Sequence, residues 1–356
     1  SRIQRVGLCA GCHLQGDARI ELVAGAVAPP APGADLLVHR AIYVAAEPTQ
    51  DVGFVSQVER MVLSRCWTAD ASERGMRCET CHDPHRSLDD DEERARVRAA
   101  CSQCHADGDC AAPAPERAAR DCASCHMRVT PTFDVAGVAI HDHWIRARPG
   151  PPSAHERLRV AESRDGRLRR FDWNLAGVAA PAADASCDML AHAKLANEQA
   201  FARERALELA RAEPSGPLRE LGMVHHVRAW LLEAAGEHDE ARRSYKRALL
   251  VDPALDESRI NLALVLGRAG KAAEGIALLD DVLARHPFAE GALRNRGVLH
   301  EALGDASGAR ADLEAAHALF PRAAVARALE RLCAASGDAS AAARWRAAAA
   351  ASGSDR

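Results

Sequence analysis

Four short stretches of this sequence place two cysteines and a histidine at one spacing, CxxCH. They occupy residues 9–13, 78–82, 101–105 and 122–126. Two thiols at this spacing can add to the two vinyl groups of one porphyrin, and the histidine that follows can ligate its iron. Because CxxCH is the attachment signature of c-type haem, the sequence predicts four covalently attached haem c groups.

The predicted ligands divide into thioether cysteines and proximal histidines. The cysteines are Cys9, Cys12, Cys78, Cys81, Cys101, Cys104, Cys122 and Cys125, and the histidines are His13, His82, His105 and His126. Cysteine pairs also occur in zinc sites and in thiol redox centres. Two zinc sites of four cysteines each are the alternative, but they leave the histidine after every second cysteine unexplained.

Bulk composition limits the fold and the partners. A chain of 356 residues is long enough for two or three domains. Hydrophobic residues make up 48% and aromatic residues only 4%, which favours helices packed closely through small side chains. No uninterrupted apolar stretch reaches the about 18 residues that a membrane span needs. A net charge of −4 argues against nucleic acid as a partner.

The cysteines also indicate a compartment. Covalent haem attachment in bacteria takes place outside the cytoplasmic membrane, where disulfides persist, so we expect an exported protein of the periplasm or the cell surface. The start at Ser1 fits a processed chain or a fragment. Of the cysteines outside the motifs, Cys66 and Cys110 are predicted to form a disulfide, with two free thiols as the alternative. Cys187 and Cys333 are expected to be buried thiols.

The first half of the chain shows little continuous periodicity. We assign residues 1–148 to a loop-rich haem domain with short helices near 52–64 and 91–101, and we expect porphyrins rather than side chains to fill its core. The run RPGPP at 148–152 breaks the pattern. Residues 149–185 are predicted to be a linker with at most one short strand or helix.

The second half repeats with one period. Prolines 253, 287 and 321 and glycines 236, 270 and 304 both recur at intervals of 34 residues, the period of tetratricopeptide repeats. We predict a helical solenoid over 186–356, with full repeats at 222–255, 256–289 and 290–323. A degenerate helical pair is expected before these repeats and a capping pair after them. The predicted fold class is therefore mainly α: a loop-rich cytochrome domain followed by an α-solenoid.

Several stretches together resemble a known family. They are QVERMVLSRC at 57–66, CETCHDPH at 78–85, CASCHM at 122–127 and DHWI at 142–145. With the repeats, they resemble bacterial multihaem c-type cytochromes, of the cytochrome c-554-like kind, fused to a C-terminal tetratricopeptide array. The resemblance implies haem binding and electron transfer more strongly than any particular substrate.

A second protein ligand on each iron would favour electron transfer over substrate binding. Pro84 holds His85 three residues after His82, too close to reach the opposite face of the same haem, so we expect His85 to ligate a neighbouring iron. His39, in the gap between the first two motifs, is the next candidate.

Two further ligand positions are less defined. His141 and His143 are separated by one residue, so only one of them is expected to bind, and the resemblance favours His143. Met61 is the predicted second ligand of the fourth iron, although packing in the apolar core explains this methionine equally well. His141, His155 or a residue from a neighbouring subunit are the alternatives.

These observations predict an electron carrier rather than an enzyme. Its partners would be redox proteins, other cytochromes or further copies of itself, with a protein partner bound by the repeats. One alternative is a subunit of an extracellular cytochrome filament. The other is a reductase of nitrogen oxyanions or hydroxylamine with one open haem, for which no substrate pocket is visible in the sequence.

Overall fold

The computed structural model describes most of the chain. The described residues are 1–22, 36–45, 52–87, 91–106, 109–119, 122–132, 134–135, 138–148, 168–176, 178, 184–197 and 200–351. They divide into two compact units, Ser1–Ala206 and Leu207–Arg356. None of the helices within these ranges combines the length and apolar character that a membrane crossing requires.

The first unit consists of short helices and two small sheets. Its elements are α1 (Arg2–His13), β1 (Ala18–Glu21), α2 (Leu36–His39), β2 (Arg40–Ala45), α3 (Gln57–Met61), α4 (Arg65–Thr68), α5 (Cys78–Cys81), α6 (Asp91–Ser102), α7 (Ala114–Ala119), α8 (Cys122–His126), β3 (Val129–Pro131), β4 (Ala139–His141), β5 (Leu168–Arg170), α9 (Ala185–Leu195) and α10 (Ala200–Ala210), the last of which crosses into the second unit. The short helices expected near 52–64 and 91–101 are confirmed as α3 and α6.

Both sheets are antiparallel. The larger one has the order β1-β2-β5, and Tyr43 at its centre pairs with Ala18 on one side and Arg170 on the other. The smaller one pairs β3 with β4, so that Val129 lies opposite His141. Because β3 directly follows the fourth motif, this hairpin returns the chain towards that motif.

An apolar cluster of side chains fills the centre of the first unit. It combines α1, α2, β2 and α3 with two tryptophans, Trp67 and Trp173, which are both at most 2% exposed. The Trp67 indole donates a hydrogen bond of 2.6 Å to the Trp173 carbonyl. The expectation that porphyrins replace a side-chain core was therefore wrong for this part of the unit, since buried apolar side chains fill it.

The structure divides the chain differently from the predicted boundaries at 148 and 185. Within the predicted linker, β5 completes the larger sheet, and Phe171 and Trp173 pack into the core. Helix α9, which Asp184 caps by accepting hydrogen bonds from two backbone N–H groups, also belongs to the first unit. Its Asp188 accepts a hydrogen bond of 2.6 Å from the Tyr43 hydroxyl.

The second unit is a series of antiparallel helix pairs. After a short 3₁₀ turn at Pro217–Glu220, the helices are α11 (Gly222–Ala234), α12 (His238–Val251), α13 (Asp256–Arg268), α14 (Ala272–Arg285), α15 (Glu290–Ala302), α16 (Ala306–Leu319), α17 (Ala323–Ala335) and α18 (Ala339–Ala351). The first helices of the three full repeats begin 34 residues apart, at Gly222, Asp256 and Glu290. The mainly α fold class with a C-terminal helical solenoid is confirmed, and these helix starts recur at the predicted interval.

The turn glycines explain why the period is strict. Gly236, Gly270 and Gly304 each end the first helix of a repeat with φ between +76° and +80°, a region that side chains with a Cβ rarely adopt. Small residues then let the second helix approach the first. Ala241 and Ala309 are fully buried at the first such position, and Gly275 occupies it in the middle repeat.

Candidate haem-binding sites

Each CxxCH motif forms one helical turn. In the second motif the His82 backbone N–H donates to the Cys78 carbonyl at 2.9 Å, and in the third His105 donates to Cys101 at 3.0 Å. The first and fourth motifs lie within α1 and α8. Residues three apart on a helix face the same side, so the two thiols of every motif can reach one bound group.

The fold brings thiols of different motifs together. A hydrogen bond from the Cys78 thiol lowers the pKa of Cys9 to about 7, and the same bond, with burial, raises the pKa of Cys78. Burial raises the pKa of Cys101 to about 11, and the neighbouring Cys122 adds to the rise. The first motif therefore adjoins the second, and the third adjoins the fourth.

Contacts of α1 position the first motif. The Arg2 guanidinium is 2% exposed, lies 4.0 Å from the centre of the Trp67 ring and donates to the Trp67 carbonyl at 3.1 Å and the Met76 carbonyl at 2.9 Å. Because Met76 lies two residues before Cys78, this buried arginine holds the start of α1 against the segment that leads into the second motif.

All four proximal histidines present Nδ1 to an oxygen atom. The partners are Gln57 Oε1 at 3.3 Å for His13, Glu93 Oε1 at 3.9 Å for His82, Asp109 Oδ2 at 4.0 Å for His105 and the Arg146 carbonyl at 2.9 Å for His126. The contacts of His13 and His126 are hydrogen bonds, which keep the proton on Nδ1, orient the ring and leave Nε2 for a metal. The contacts of His82 and His105 are too long for a direct hydrogen bond and only place a carboxylate near the ring. The donor set fits the axial ligation of haem iron.

His143 lies beside the proximal histidine of the second motif. The centres of the His143 and His82 rings are 6.1 Å apart, with 37° between the ring planes. His143 Nδ1 donates to the His141 carbonyl at 2.9 Å, which leaves its Nε2 as an acceptor. Burial lowers the pKa of His143 to about 4, so the ring is neutral near neutral pH, the form in which imidazole binds metals.

A buried ion pair holds the segment that carries His143. The Arg60 guanidinium of α3 makes a bidentate contact with the Asp142 carboxylate at 2.9 and 2.8 Å, and Asp142 is fully buried. Burial opposes ionisation of this carboxyl, but the hydrogen bonds and charge of Arg60 outweigh it and lower the pKa of Asp142. Both residues stand in the stretches that carry the family resemblance, although the sequence alone does not show that they pair.

For the other predicted distal ligands that it describes, the structure gives a position and an exposure but no contact with a proximal histidine. His39 ends α2 and is half-buried, and His85 is exposed on the turn after the second motif. His141 is exposed, and its Nδ1 donates to the Met127 carbonyl at 3.0 Å. Met61 is 6% exposed within the apolar cluster of the first unit, and His155 lies outside the described residues. A ligand role for these side chains stays a prediction.

The predicted disulfide is not formed. Cys66 and Cys110 are not bonded to each other in the structure. Cys66 stands on α4 within the electrostatic reach of Cys81 and Cys104, which belong to the second and third motifs. Burial is the main cause that raises the pKa of Cys66. Cys187 and Cys333 are buried, as expected.

Glu93 is a site residue that sequence reasoning missed. It is 1% exposed, faces the His82 ring and accepts a hydrogen bond of 2.7 Å from the Asp83 backbone N–H. It stands in the acidic run DDDEE at 89–93, which in sequence is typical of a solvent-exposed helix start. Within the described residues, no group of three or more histidine, cysteine or acidic side chains is arranged to hold a metal ion.

One family model matches part of the chain. Residues 71–109 match the family model of the doubled CXXCH motif. The match spans the second and third motifs of the chain and supports covalent binding of haem c. No curated protein matches the chain.

Several solved structures resemble part of the chain. MamA from Desulfovibrio magneticus RS-1 is 15% identical, with a TM-score of 0.40 over 48% of this chain and 96% of that one. PilW, a type IV pilus biogenesis factor, is 21% identical, with a TM-score of 0.41 over 47% and 76%. A thermophilic TPR protein of Thermus thermophilus is 19% identical, with a TM-score of 0.40 over 48% and 91%.

Proposed function

We propose that this protein is an exported electron carrier with four covalently bound haem c groups, one at each CxxCH motif. Each pair of motif cysteines would hold one haem, which supplies a one-electron iron couple. The proximal ligands would be His13, His82, His105 and His126. Export follows from the compartment in which bacteria attach haem to thiols.

The contacts between thiols of different motifs carry this proposal. Cys9 contacts Cys78, and Cys101 contacts Cys122 and lies near Cys81. The first motif therefore lies beside the second and the third beside the fourth, which would place the bound haems near one another. A series of adjoining redox centres suits transfer of electrons between partners and needs no substrate pocket.

The pair of His82 and His143 favours transfer over substrate reduction. Two imidazoles bound through nitrogen at about 2 Å on opposite sides of one metal have ring centres about 6 Å apart, and the centres of these two rings are separated by 6.1 Å. We assign both histidines to one iron, which leaves that iron no open position. His143 would then ligate a haem other than the one at its nearest motif.

His85 and His39 remain the ligands that we propose for two further irons. The fourth iron would take Met61, His141, His155 or a residue donated by a neighbouring subunit. The core position of Met61 favours packing as its main role. Ligation from a neighbouring copy would link redox activity to assembly, as a cytochrome filament requires.

We further propose that the repeats bind a protein partner. Stacked helix pairs offer an extended surface, and tetratricopeptide units stabilise one another through nearest-neighbour contacts rather than through a ligand. The partner would be a redox protein, another cytochrome or a second copy of this chain. Negative-stain microscopy of the purified protein separates a soluble carrier from a filament.

Denaturing mass spectrometry of the holoprotein tests the haem assignment. The expected mass is that of the polypeptide plus four haem groups, and double replacement of Cys122 and Cys125 by alanine should remove one. Cys110→Ala, outside the motifs, is the control and should keep all of them. A polypeptide mass without haem, together with zinc found in the native protein by elemental analysis, would refute the proposal, and a fully low-spin ferric spectrum would argue against the reductase alternative.

A further inference from the structure

The segment His141–Arg146 makes contacts towards two different motifs. Through His143 it reaches His82 of the second motif, with 6.1 Å between the ring centres. Through the Arg146 carbonyl it accepts a hydrogen bond of 2.9 Å from His126 Nδ1 of the fourth motif. Six consecutive residues thus adjoin two histidines that lie 44 positions apart in the sequence.

We propose that Arg60 is the positioning residue that holds this segment against both histidines, so that one side chain sets the ligation of one iron and tunes another. The inference rests on the proposed haem assignment and deepens it. Arg60 would act on His82 and His126 indirectly. It binds Asp142, which lies between His141 and His143 in the chain.

The Asp142 carboxylate is the centre of the anchor. Its two oxygens accept from Arg60, Oδ1 also accepts from the Trp144 backbone N–H at 3.0 Å, and Oδ2 accepts from Arg146 at 3.2 Å. A buried carboxylate needs such full satisfaction, because an uncompensated charge in the interior is strongly unfavourable. Lysine cannot replace Arg60 in this arrangement, since it lacks the planar fork that makes two parallel bonds.

Two further contacts fix the direction of the segment. The Trp144 ring lies 5.0 Å from the Arg60 guanidinium carbon and 4.5 Å from that of Arg146, so cation–π contacts join the three side chains. The Ser64 hydroxyl donates to the His143 carbonyl at 3.0 Å and accepts from the Ile145 N–H at 2.8 Å. Ser64 is fully buried, so these bonds are shielded from water.

Loss of the anchor should have two separable consequences. Release of His143 would leave the iron at His82 with one protein ligand and turn it from low spin to high spin. Release of the Arg146 carbonyl would remove the acceptor of His126 Nδ1–H. Because that hydrogen bond makes the imidazole a stronger donor, its loss should move the potential of the fourth-motif haem to a more positive value.

The test uses the full-length holoprotein with Arg60→Ala and Arg60→Lys. We expect all haems to remain attached by mass, one haem to become high spin in the ferric absorption and electron paramagnetic resonance spectra, and added imidazole to restore it. A redox titration should show a second haem shifted to a more positive potential. Arg60→Lys should recover these signals only in part.

Arg228→Ala is the matched control. Arg228 is also a buried arginine, but it stands on α11 in the second unit, where it donates to the Ala210 carbonyl and the Ser244 hydroxyl. Its replacement should lower stability without a high-spin signal. The same signal in Arg228→Ala, or unchanged spin state and potentials in a folded Arg60→Ala, would overturn the proposal.

Two variants separate this inference from the haem assignment. His143→Ala should produce the high-spin haem but should leave the potential of the fourth-motif haem unchanged. If no haem becomes high spin, the pairing of His143 with His82 fails, and the proposed role of Arg60 fails with it. Asp142→Asn removes the charge that Arg60 pairs with and serves if Arg60→Ala does not fold. Wild-type spectra and potentials in a folded Asp142→Asn would then count against the anchored segment.

Discussion

The imidazole rings of His82 and His143 have their centres 6.1 Å apart, although 61 positions separate the two residues in the chain. His82 is fixed by the helical turn of its motif, and His143 by the buried contact of Asp142 with Arg60. The pair therefore depends on two independent pieces of local structure that the fold brings together.

Replacement of His143 by alanine should convert one haem from low spin to high spin without loss of covalent attachment, because only the ligand opposite His82 is removed. The ferric absorption spectrum and the mass of the denatured protein measure the two effects. His238→Ala, at the start of α12 in the second unit, is the control, since no ligand role is assigned to it. A low-spin spectrum in His143→Ala together with a high-spin haem in His141→Ala would assign the ligand to His141.

The Cys66 and Cys110 thiols should be alkylated to the same extent with and without prior reduction once the protein is denatured. Neither sulfur is bonded to the other in the structure. In the native protein Cys66 should react slowly, because it is half-buried on α4 and burial raises the pKa of its thiol. If the two thiols are labelled only after reduction, the disulfide predicted from the sequence is present.

A fragment of residues 200–356 should be soluble, free of haem and strongly helical by circular dichroism. A longer fragment of residues 185–356 should expose the apolar face of α9, where Cys187, Met189 and Leu190 are buried in the first unit. We expect the longer fragment to bind a hydrophobic dye and aggregate more readily. If the two fragments bind the dye and aggregate to the same extent, the boundary between the haem domain and the repeats lies near residue 185, as the sequence predicts.

Gly275→Ala should lower the free energy of unfolding of the 200–356 fragment by about 1–3 kcal/mol, a typical cost of overpacking. A Cβ at this position would lie 2.7 Å from both the Ala263 carbonyl oxygen and a Leu299 methyl carbon. Gly291→Ala is the control, because its Cβ would meet Ile260 at an ordinary 3.7 Å. Urea unfolding measures both, and a neutral Gly275→Ala would contradict the close approach of these helices.

The 200–356 fragment should also lose stability in alkali. Its one tyrosine, Tyr245, is fully buried and donates to Glu233 at 2.9 Å; burial first, and then the carboxylate, raises its pKa. The folded state keeps a proton that the unfolded chain releases near pH 10, so stability is complete below about pH 10 and falls as the pH rises above it.

Tyr245→Phe should remove this alkaline loss and lower stability near neutral pH by about 1 kcal/mol, the usual net worth of a hydrogen bond. Urea unfolding near neutral pH and above about pH 10 compares the two fragments. Tyrosinate absorbance of the unmutated fragment should rise together with unfolding. A gradual rise in the folded fragment would show that Tyr245 is accessible to solvent.

Local patterns in the sequence determined the attachment motifs and the repeats. CxxCH needs only one helical turn to align its thiols, and the turn glycines need only a positive φ, so neither depends on distant residues. For the same reason the helix starts at Gly222, Asp256 and Glu290 agree with the predicted period.

Tertiary contacts decided the rest. Strand β5 and Trp173 belong to the first unit because β2 and Trp67 supply their partners from more than 100 positions away, which no local pattern in a proline-rich segment can indicate. Glu93 is buried within an acidic run because it caps the turn after the second motif, beside His82. Likewise, nothing in the sequence distinguishes Arg60 or Asp142 from a solvent-exposed charged residue. Only the fold removes both from water, and burial then makes their pairing necessary.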